Sequence, residues 1–424
     1  MAVQVFNPEE ETMRRVLFLA LVVLIAGGVP PVLFAQAGSK DLVFINDNPP
    51  FEQANAEMGA WIKDRIGIGF VPESYPDLST YQTTLRQSLL SSNTAPDFFK
   101  WWSNFRIKPL VDEGLLEDVS DIWAEGVKSG VWPKTVSGEV TFNGKQYAIP
   151  YHYSHWGVIY NKKVFQELGI SIPKTYDQFI AACEKIKKSG RDPISMTLEG
   201  RWQSTLWWSE IIMKTDADLY LGLVSGKTKF SDPAALKAME KWVTLSKYYP
   251  KDMTLPWMET YPNVVSGKYA MTLLGDWMFT SMAALGADLA TDIGWFPFPS
   301  ITPKGNGFVL EISPIAIPKN SPNKENTKKL FREWMSLEGQ KQWVKTFSES
   351  SPAGGGIVPD KAVYQSIRDA GLFGNKVRYM PRWYEAVPVP FCEYTMDKFA
   401  EVMLDGSKLK QVMKDIDDYR AKMK

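Results

Sequence analysis

The segment of residues 144–162 (GKQYAIPYHYSHWGVIYNK) constrains the fold more than any other, because it predicts two strands separated by an aromatic joint. Residues 147–149 form a short β-prone run that ends at Pro150, since proline cannot donate a hydrogen bond to a strand ladder. Residues 158–160 resume the extended pattern before a helical pattern begins at Asn161. A strand that stops and restarts in this way predicts a crossover between two lobes.

The joint is rich in side chains that have an apolar face and a polar edge, namely Tyr151, His152, Tyr153, His155 and Trp156. Rings of this kind suit an ordinary core as well as a ligand site, and the segment alone does not separate the two. Other aromatic and acidic groups lie at predicted strand ends, which favours the ligand site. We therefore expect a hinge at 147–150, a cleft at 151–156 and the first strand of the second lobe at 158–160.

Length and charge narrow the class of protein. The 424 residues predict about two to three domains. Lysine plus arginine and aspartate plus glutamate number 48 each, without long blocks of one sign, so the electrostatic signature of a nucleic-acid-binding protein is missing. The balanced charge favours an uncharged ligand or partner instead. The only cysteines are Cys183 and Cys392, which excludes a disulfide framework and a thiolate metal site.

The first 37 residues have the pattern of a secretory signal peptide. Arg14 and Arg15 precede an apolar run over 16–25, a break rich in glycine and proline follows, and residues 35–37 (Ala-Gln-Ala) form a cleavage motif. The apolar run is too short to span a bilayer comfortably. We therefore predict cleavage near Ala37 and a soluble mature protein that is periplasmic or extracellular.

Strand and helix patterns alternate along the mature chain, which is typical of an α/β fold. A strand over 41–46 is followed by a proline-containing turn and a helix over about 51–66, and a second strand near 69–71 leads to a helix over 78–92. No linker rich in serine and glycine interrupts the pattern. Any two lobes are therefore joined by continuous strands, and motion between them would be a hinge.

Aromatic and acidic residues follow three of the predicted strands. In open α/β sheets ligands bind at the carboxyl ends of the strands, so these residues are candidates for a ligand site. They are Trp101 and Trp102 after the strand at 97–99, Trp202 after 194–196, and Asp276 and Trp277 after 270–274. Two further crossings are predicted, one over 308–313 leading into a strand at 315–317, and one in the polar loop 348–356.

Motifs for catalysis are sparse. The pair His152 and His155 comprises all the histidines and is a poor metal site without nearby carboxylates. The G-x-S-x-G elbow is absent, and neither G-x-G-x-x-G nor the P-loop pattern occurs in a strand-to-helix setting. We therefore expect no metal and no cofactor. A glycoside hydrolase that uses Asp276 with Glu311 or Glu385 stays open as the alternative, and a structural or adhesive surface protein as a third possibility.

Several segments together resemble the extracellular solute-binding proteins of bacterial ABC sugar importers, the group that includes maltose-binding proteins. Each segment is short, but their order and spacing make the set specific, and the resemblance covers most of the mature chain. The segments are 96–101 (PDFFKW), 147–151 (YAIPY), 158–162 (VIYNK), 168–175 (LGISIPKT), 267–271 (GKYAM), 275–277 (GDW) and 318–321 (PKNS).

The resemblance implies two α/β lobes joined by hinge crossovers that close over one sugar. The expected division is residues 38–149 with 310–347 for the N-terminal lobe, and 150–309 with 348–424 for the C-terminal lobe. It implies a monomeric, non-enzymatic receptor that delivers a mono- or disaccharide to a membrane permease. Among the expected ligand residues, Trp101, Trp102, Tyr153, Asp276 and Trp277 match motif positions. Tyr151 lies at the first crossover, and the others, matched by position and chemistry only, are Arg106, Trp156, Trp202, Glu311 and Trp383.

Overall fold

The computed structural model describes residues 41–372 and 378–423. The predicted signal peptide lies outside the described residues. Within these two ranges no helix is long and apolar enough to cross a bilayer.

Nine strands form one mixed sheet in the described ranges. Its path is β2-β1-β3-β10-β6-β8-β7, with β9 paired to β6 and β11 paired to β10, and a separate hairpin consists of β4 and β5. The strands are β1 (Asp41–Asn46), β2 (Gly69–Ser74), β3 (Phe98–Lys100), β4 (Thr141–Phe142), β5 (Lys145–Gln146), β6 (Ile149–Asn161), β7 (Asp192–Ile194), β8 (Tyr269–Gly275), β9 (Ile293–Phe296), β10 (Gly307–Ala316) and β11 (Arg378–Met380).

Helices cover the sheet, and most of them bury one apolar face. They are α1 (Glu52–Ile66), α2 (Leu78–Ser88), α3 (Lys108–Asp112), α4 (Ser120–Lys128), α5 (Lys162–Glu167), α6 (Tyr176–Lys188), α7 (Leu206–Thr215), α8 (Ala217–Ser225), α9 (Pro233–Leu245), α10 (Trp257–Val265), α11 (Met278–Ala284), α12 (Lys324–Met335), α13 (Leu337–Phe347), α14 (Ala362–Asp369), α15 (Trp383–Ala386), α16 (Val389–Leu404) and α17 (Leu409–Lys422).

The first half of the sheet is the predicted α/β opening. Strand β1 pairs in parallel with β2 on one side and β3 on the other, so their carboxyl ends lie at one edge. Phe44 and Phe98 stack at 4.6 Å between ring centroids and are fully buried, which ties β1 to β3 through side chains as well as the ladder. This edge carries the residues that follow β1 and β3 into the site.

The predicted break at Pro150 is wrong, because β6 is one continuous strand of 13 residues. Pro150 lies opposite Pro314 of β10, where the register shifts between Ser313 and Pro314. Prolines within sheets are confined to edges and bulges, and this irregularity is a bulge. The same register explains why β10 also runs on through Pro314, where a crossing and a separate strand were predicted.

Strands β6 and β10 connect the two halves of the sheet. Residues 149–155 of β6 pair with β10, residues 156–160 pair with β8, and 158–161 pair also with β9. At its other end, β10 pairs with β3 through Ile315 and Ala316. Two long strands thus pass between the halves, and the cleft lies along them.

Candidate functional site

One cavity lies where the strand ends of the first half meet β6, β10 and the second half. Its empty volume, including the part open to solvent, is about 550 Å³. Most of its large side chains are aromatic, and four are tryptophans. The lining residues are Asp47, Asn48, Phe51, Leu78, Lys100, Trp102, His152, Trp202, Trp257, Trp277, Glu311, Ser313, Arg382 and Tyr384.

Three tryptophans from the second half form an aromatic wall. Trp202 begins a 3-10 turn, Trp257 begins α10, and Trp277 follows β8 directly. The rings of Trp202 and Trp257 meet edge to face at 6.0 Å, and those of Trp257 and Trp277 at 6.1 Å. Edge-to-face contacts fix the rings relative to one another, so the wall is a preformed apolar surface.

A polar corner faces the cavity from the carboxyl ends of β1 and β3. Asp47 and Asn48 follow β1, and Lys100 is the last residue of β3. The Lys100 Nζ lies 3.1 Å from Asp47 Oδ1, and the Asn48 amide donates to the same carboxylate at 2.7 Å. Lys100 also lies 4.1 Å from the centre of the Trp102 ring. In this polar corner the charges of Asp47 and Lys100 balance each other, and the three side chains still offer hydrogen-bond donors and acceptors to a ligand.

On the side of the cavity opposite the polar corner, Glu311 of β10 accepts several hydrogen bonds. Its Oε2 accepts the indole N–H of Trp156 at 2.9 Å and that of Trp277 at 3.0 Å. Its Oε1 accepts the Ser313 hydroxyl at 3.1 Å and lies 3.1 Å from an Arg382 Nη2. The carboxylate therefore holds four groups that come from different parts of the chain.

Arg382 links Glu311 to a second buried carboxylate, Glu385. Its Nε donates to Glu385 at 2.8 Å, and its Nη2 also contacts the other Glu385 oxygen. Burial lowers the pKa of Arg382, but Glu311 and Glu385 outweigh it and raise the pKa, so the guanidinium stays charged. Burial raises the pKa of Glu385, and Arg382 opposes that shift. The guanidinium lies 5.2 Å from the Trp156 ring and 5.4 Å from the Tyr384 ring.

At the edge of the cavity, His152 pairs with Glu349, whose side chain is fully buried. The Nδ1 of His152 lies 2.8 Å from a Glu349 oxygen. Burial, followed by the nearby Lys100, lowers the pKa of His152 well below its usual value. Burial, with Asp276 and Glu311 nearby, raises the pKa of Glu349 well above its usual value. Both shifts favour a neutral pair at this position.

Comparison with known proteins identifies the class of molecule. A family model for bacterial extracellular solute-binding proteins matches residues 48–342. This chain belongs to that family. The solute-binding protein is 29% identical over 280 residues to an uncharacterized ABC transporter extracellular-binding protein of Pyrococcus horikoshii, a match that covers 65% of this chain and 60% of that relative. It is 25% identical over 347 residues to the diacetylchitobiose-binding protein DasA of Streptomyces coelicolor, covering 78% and 75% of the two chains.

Solved structures show the same fold. The bacterial solute receptor AcbH superimposes with a TM-score of 0.77 at 18% identity, covering 90% of this solute-binding protein and 99% of that chain. A chitin oligosaccharide binding protein superimposes with a TM-score of 0.74 at 19% identity, covering 90% and 98%. The predicted fold class, two α/β lobes of the periplasmic-binding-protein type, and the resemblance drawn from the motifs are thereby confirmed.

The cavity of this solute-binding protein brings together four of the expected ligand residues, Trp102, Trp202, Trp277 and Glu311, and also His152 of the predicted cleft. Three others lie one layer behind it. Trp156 is bonded to Glu311, Trp101 donates its indole N–H to the Arg106 carbonyl at 3.0 Å, and Arg106 stacks on Tyr384 at 3.5 Å. These three residues contact cavity-lining side chains or one another and are not themselves lining residues.

The remaining predicted site residues do not line the cavity. Tyr151 packs in the core and donates its hydroxyl to Asn55 at 3.0 Å, and Tyr153 packs its ring against His155 at 5.8 Å. Asp276 is fully buried and accepts the backbone N–H of His155 at 3.1 Å, so its carboxylate is turned away from the lining. Trp383 is fully buried against Trp208 at 4.9 Å, because α15 packs into the helical core of the second half.

Among the lining residues that were not predicted from the sequence are Asp47, Asn48, Lys100, Trp257, Arg382 and Tyr384. A signal existed for the first three, because Asp47 and Asn48 directly follow a predicted strand and Lys100 lies beside Trp101 at the end of another. Residues 47–50 (Asp-Asn-Pro-Pro) were interpreted only as a turn, so Asp47 and Asn48 were not proposed as ligand residues. Trp257 begins a helix after a loop, and Arg382 follows a short edge strand, so neither carried a local signal.

Proposed function

We propose that this protein is an extracytoplasmic receptor that binds a neutral mono- or disaccharide in the cavity and delivers it to the membrane permease of an ABC importer. One observation carries the proposal: four tryptophans and two internally compensated ion pairs, Asp47 with Lys100 and Glu311 with Arg382, line a single cavity. A cavity that is aromatic, polar and balanced in charge suits a hydroxyl-rich neutral ring better than an anion or a hydrocarbon.

The two sides of the cavity match the two kinds of surface on a sugar. The C–H faces of a sugar ring are apolar and suit the wall of Trp202, Trp257 and Trp277. The hydroxyls need donors and acceptors once they are buried, because an unsatisfied buried polar group costs about 1–3 kcal/mol. Asp47, Asn48 and Lys100 offer both kinds of group at the polar corner.

The names of the relatives support a sugar as the ligand. DasA is named for diacetylchitobiose, a relative in Streptococcus mutans is named a multiple sugar-binding protein, and the AcbH structure is described as having a preference for β-D-galactopyranose. These ligands differ from one another, so the relatives support the class of ligand and leave its identity to experiment.

We further propose that the two lobes are residues 38–149 with 310–347 and residues 150–309 with 348–424, and that they close about β6 and β10. Continuous crossing strands suit hinge motion, because small changes at a few residues move whole lobes. The predicted cleavage near Ala37 and a periplasmic or extracellular monomer without nucleic-acid partners complete the proposal.

We propose binding without turnover. Each acid suspected of hydrolysis is already engaged: Asp276 is bonded to His155, Glu311 accepts three hydrogen bonds and pairs with Arg382, and Glu385 is paired with Arg382. General acid and base catalysis needs a carboxyl group within reach of the substrate, and Glu311 is the one of the three that lines the cavity.

Isothermal titration of the mature chain from Gly38 against a panel of neutral mono- and disaccharides tests the proposal. We expect saturable heat at one site per chain with at least one sugar, and none with the corresponding uronic acids. Mass spectrometry of ligand retained through purification identifies the natural solute. An absence of heat with every sugar, or hydrolysis of an aryl glycoside, would overturn the proposed function.

A further inference from the structure

We propose that Glu311 does not bind the solute but positions the tryptophans that do. Glu311 was expected from the sequence to contact the ligand, and it does line the cavity. Its hydrogen bonds assign it a different task. The inference rests on the proposed function, since it concerns how the same cavity is held in a binding-competent shape.

The protein itself already uses most of the acceptor capacity of Glu311. An ionised carboxylate offers about four lone-pair sites on its two oxygens. Oε2 accepts hydrogen bonds from Trp156 at 2.9 Å and Trp277 at 3.0 Å, Oε1 accepts one from Ser313 at 3.1 Å, and Arg382 pairs with Oε1 at 3.1 Å. A sugar hydroxyl that donated to Oε2 would have to displace Trp156 or Trp277, and the displaced indole N–H would be left buried.

The three donors and Arg382 come from separate segments of the chain. Trp156 belongs to β6, Trp277 follows β8, Ser313 belongs to β10 itself, and Arg382 precedes α15. The Glu311 side chain is 6% exposed, and Trp156 and Trp277 are 4% and 8% exposed. Hydrogen bonds to a charged acceptor in such a setting are about twice as strong as neutral ones. One buried carboxylate therefore fixes the relative position of both crossing strands and the aromatic wall.

The orientation of Trp277 is the functional consequence. Its indole N–H donates to Glu311, while its ring lines the cavity and meets Trp257 edge to face. Trp156 is bonded to the same oxygen and is not a lining residue, so Trp156 affects the solute only indirectly, through neighbours such as Glu311 and Arg382. This difference between the two tryptophans makes the role of Glu311 testable.

The first test observes the protein without solute. All 16 tryptophans lie within the mature chain, so ¹H–¹⁵N spectra of its indole groups contain one signal for each. The signals of Trp156 and Trp277 are assigned from Trp156→Phe and Trp277→Phe. We expect Glu311→Gln to move these two signals upfield and to leave distant ones in place. Glu259→Gln, the same change on the exposed face of α10, should move neither. Unmoved signals in Glu311→Gln would overturn the proposal.

The second test measures solute affinity by a double-mutant cycle with the best sugar from the panel. We expect Glu311→Gln to weaken binding about tenfold, in line with the loss of a well-made charged hydrogen bond. Trp156→Phe should also weaken binding, although Trp156 is not a lining residue. The double variant should bind no more weakly than Glu311→Gln alone, because both changes act on one arrangement. The proposal would be overturned if the fold-losses in affinity of the two single variants multiplied in the double variant, or if Trp156→Phe left the affinity unchanged.

The two tests separate failure of this inference from failure of the proposed function. The spectra need no sugar, so they report on positioning even if the wild-type protein binds nothing on the panel. If Glu311→Gln does not fold, Trp156→Phe still removes one donor from Glu311 while the carboxylate remains. Its affinity and the position of the Trp277 indole signal then decide the question: weaker binding together with a moved Trp277 signal supports positioning, and an unchanged affinity or an unmoved Trp277 signal overturns it.

Discussion

Tyr151 and His152 are adjacent in sequence, yet their rings are in contact, with centroids 4.0 Å apart and planes inclined by 65°. In a regular strand adjacent side chains point to opposite faces. The pairing of β6 with β10 passes from His152 opposite Ser313 to Pro150 opposite Pro314 and so skips Tyr151. A bulge at this point re-aims the strand, which puts Tyr151 in the core and His152 at the edge of the cavity.

Because Tyr151 is a core residue, we expect Tyr151→Phe to lower stability and to spare solute binding. The variant leaves the buried Asn55 Oδ1 without its donor, at a cost of about 1–3 kcal/mol in the free energy of unfolding. Urea denaturation measures this change. Tyr176→Phe is the matched control, because the Tyr176 hydroxyl bonds to the Lys241 carbonyl at the surface of the molecule and should cost much less. Equal losses in both variants would contradict the assignment of Tyr151 to the core.

Trp277 should show the opposite behaviour, because its ring belongs to the aromatic wall. We expect Trp277→Ala to weaken solute binding by about 2–4 kcal/mol, as truncation of a buried aromatic anchor does. Isothermal titration measures the loss, and circular dichroism checks that the variant is folded. Trp61→Ala removes an indole on α1 that lies under Arg65 and away from the cavity, so it should leave the affinity unchanged. Unchanged binding in folded Trp277→Ala would exclude this ring from the site.

Local sequence patterns were sufficient to predict the fold class and several of the residues that line the cavity. The alternation of strand and helix indicated an α/β fold, and tryptophans at strand ends indicated Trp102, Trp202 and Trp277, each of which lines the cavity. Asp276 showed the limit of the rule, because a strand end fixes where a residue lies but not where its side chain points. Its carboxylate is turned to the His155 backbone.

Features that depend on distant pairings were not predictable from local patterns. Pro150 ends a strand by local rules, and it is accommodated here because Pro314 lies opposite at a bulge. The role of Glu311 likewise depends on Trp156, Trp277 and Arg382, which only the folded chain brings to its two oxygens. Such arrangements are set by tertiary contacts that no window of the sequence contains.

The charge balance of the polar corner gives a third prediction, for Asp47→Asn. This change keeps the shape of the side chain but leaves Lys100 buried without its counter-charge, and breaking a buried pair in this way costs about 3–5 kcal/mol. We expect lower stability in urea and, because the cavity then carries a net positive charge, a gain in affinity for the uronic-acid analogue relative to its neutral parent sugar. Titration of wild type and variant with both sugars measures this preference. If the variant keeps the wild-type preference, the cavity is not balanced as proposed.

A carboxyl beside the site gives the last prediction, which concerns pH. Burial raises the pKa of Glu139 from 4.5 to about 7; Ser103, which donates at 2.8 Å, opposes the shift, and Glu385 and Glu311 add to it. Between these two values the folded state binds more protons at Glu139 than the unfolded state does. The free energy of unfolding therefore falls as pH rises through that interval, and the contribution of Glu139 is largest below pH 4.5. Glu139→Gln cannot titrate, so urea denaturation across pH 4.5–7 should show a smaller decline in the variant than in the wild type. Parallel curves for the two proteins would show that the Glu139 carboxyl titrates alike in the folded and unfolded chains.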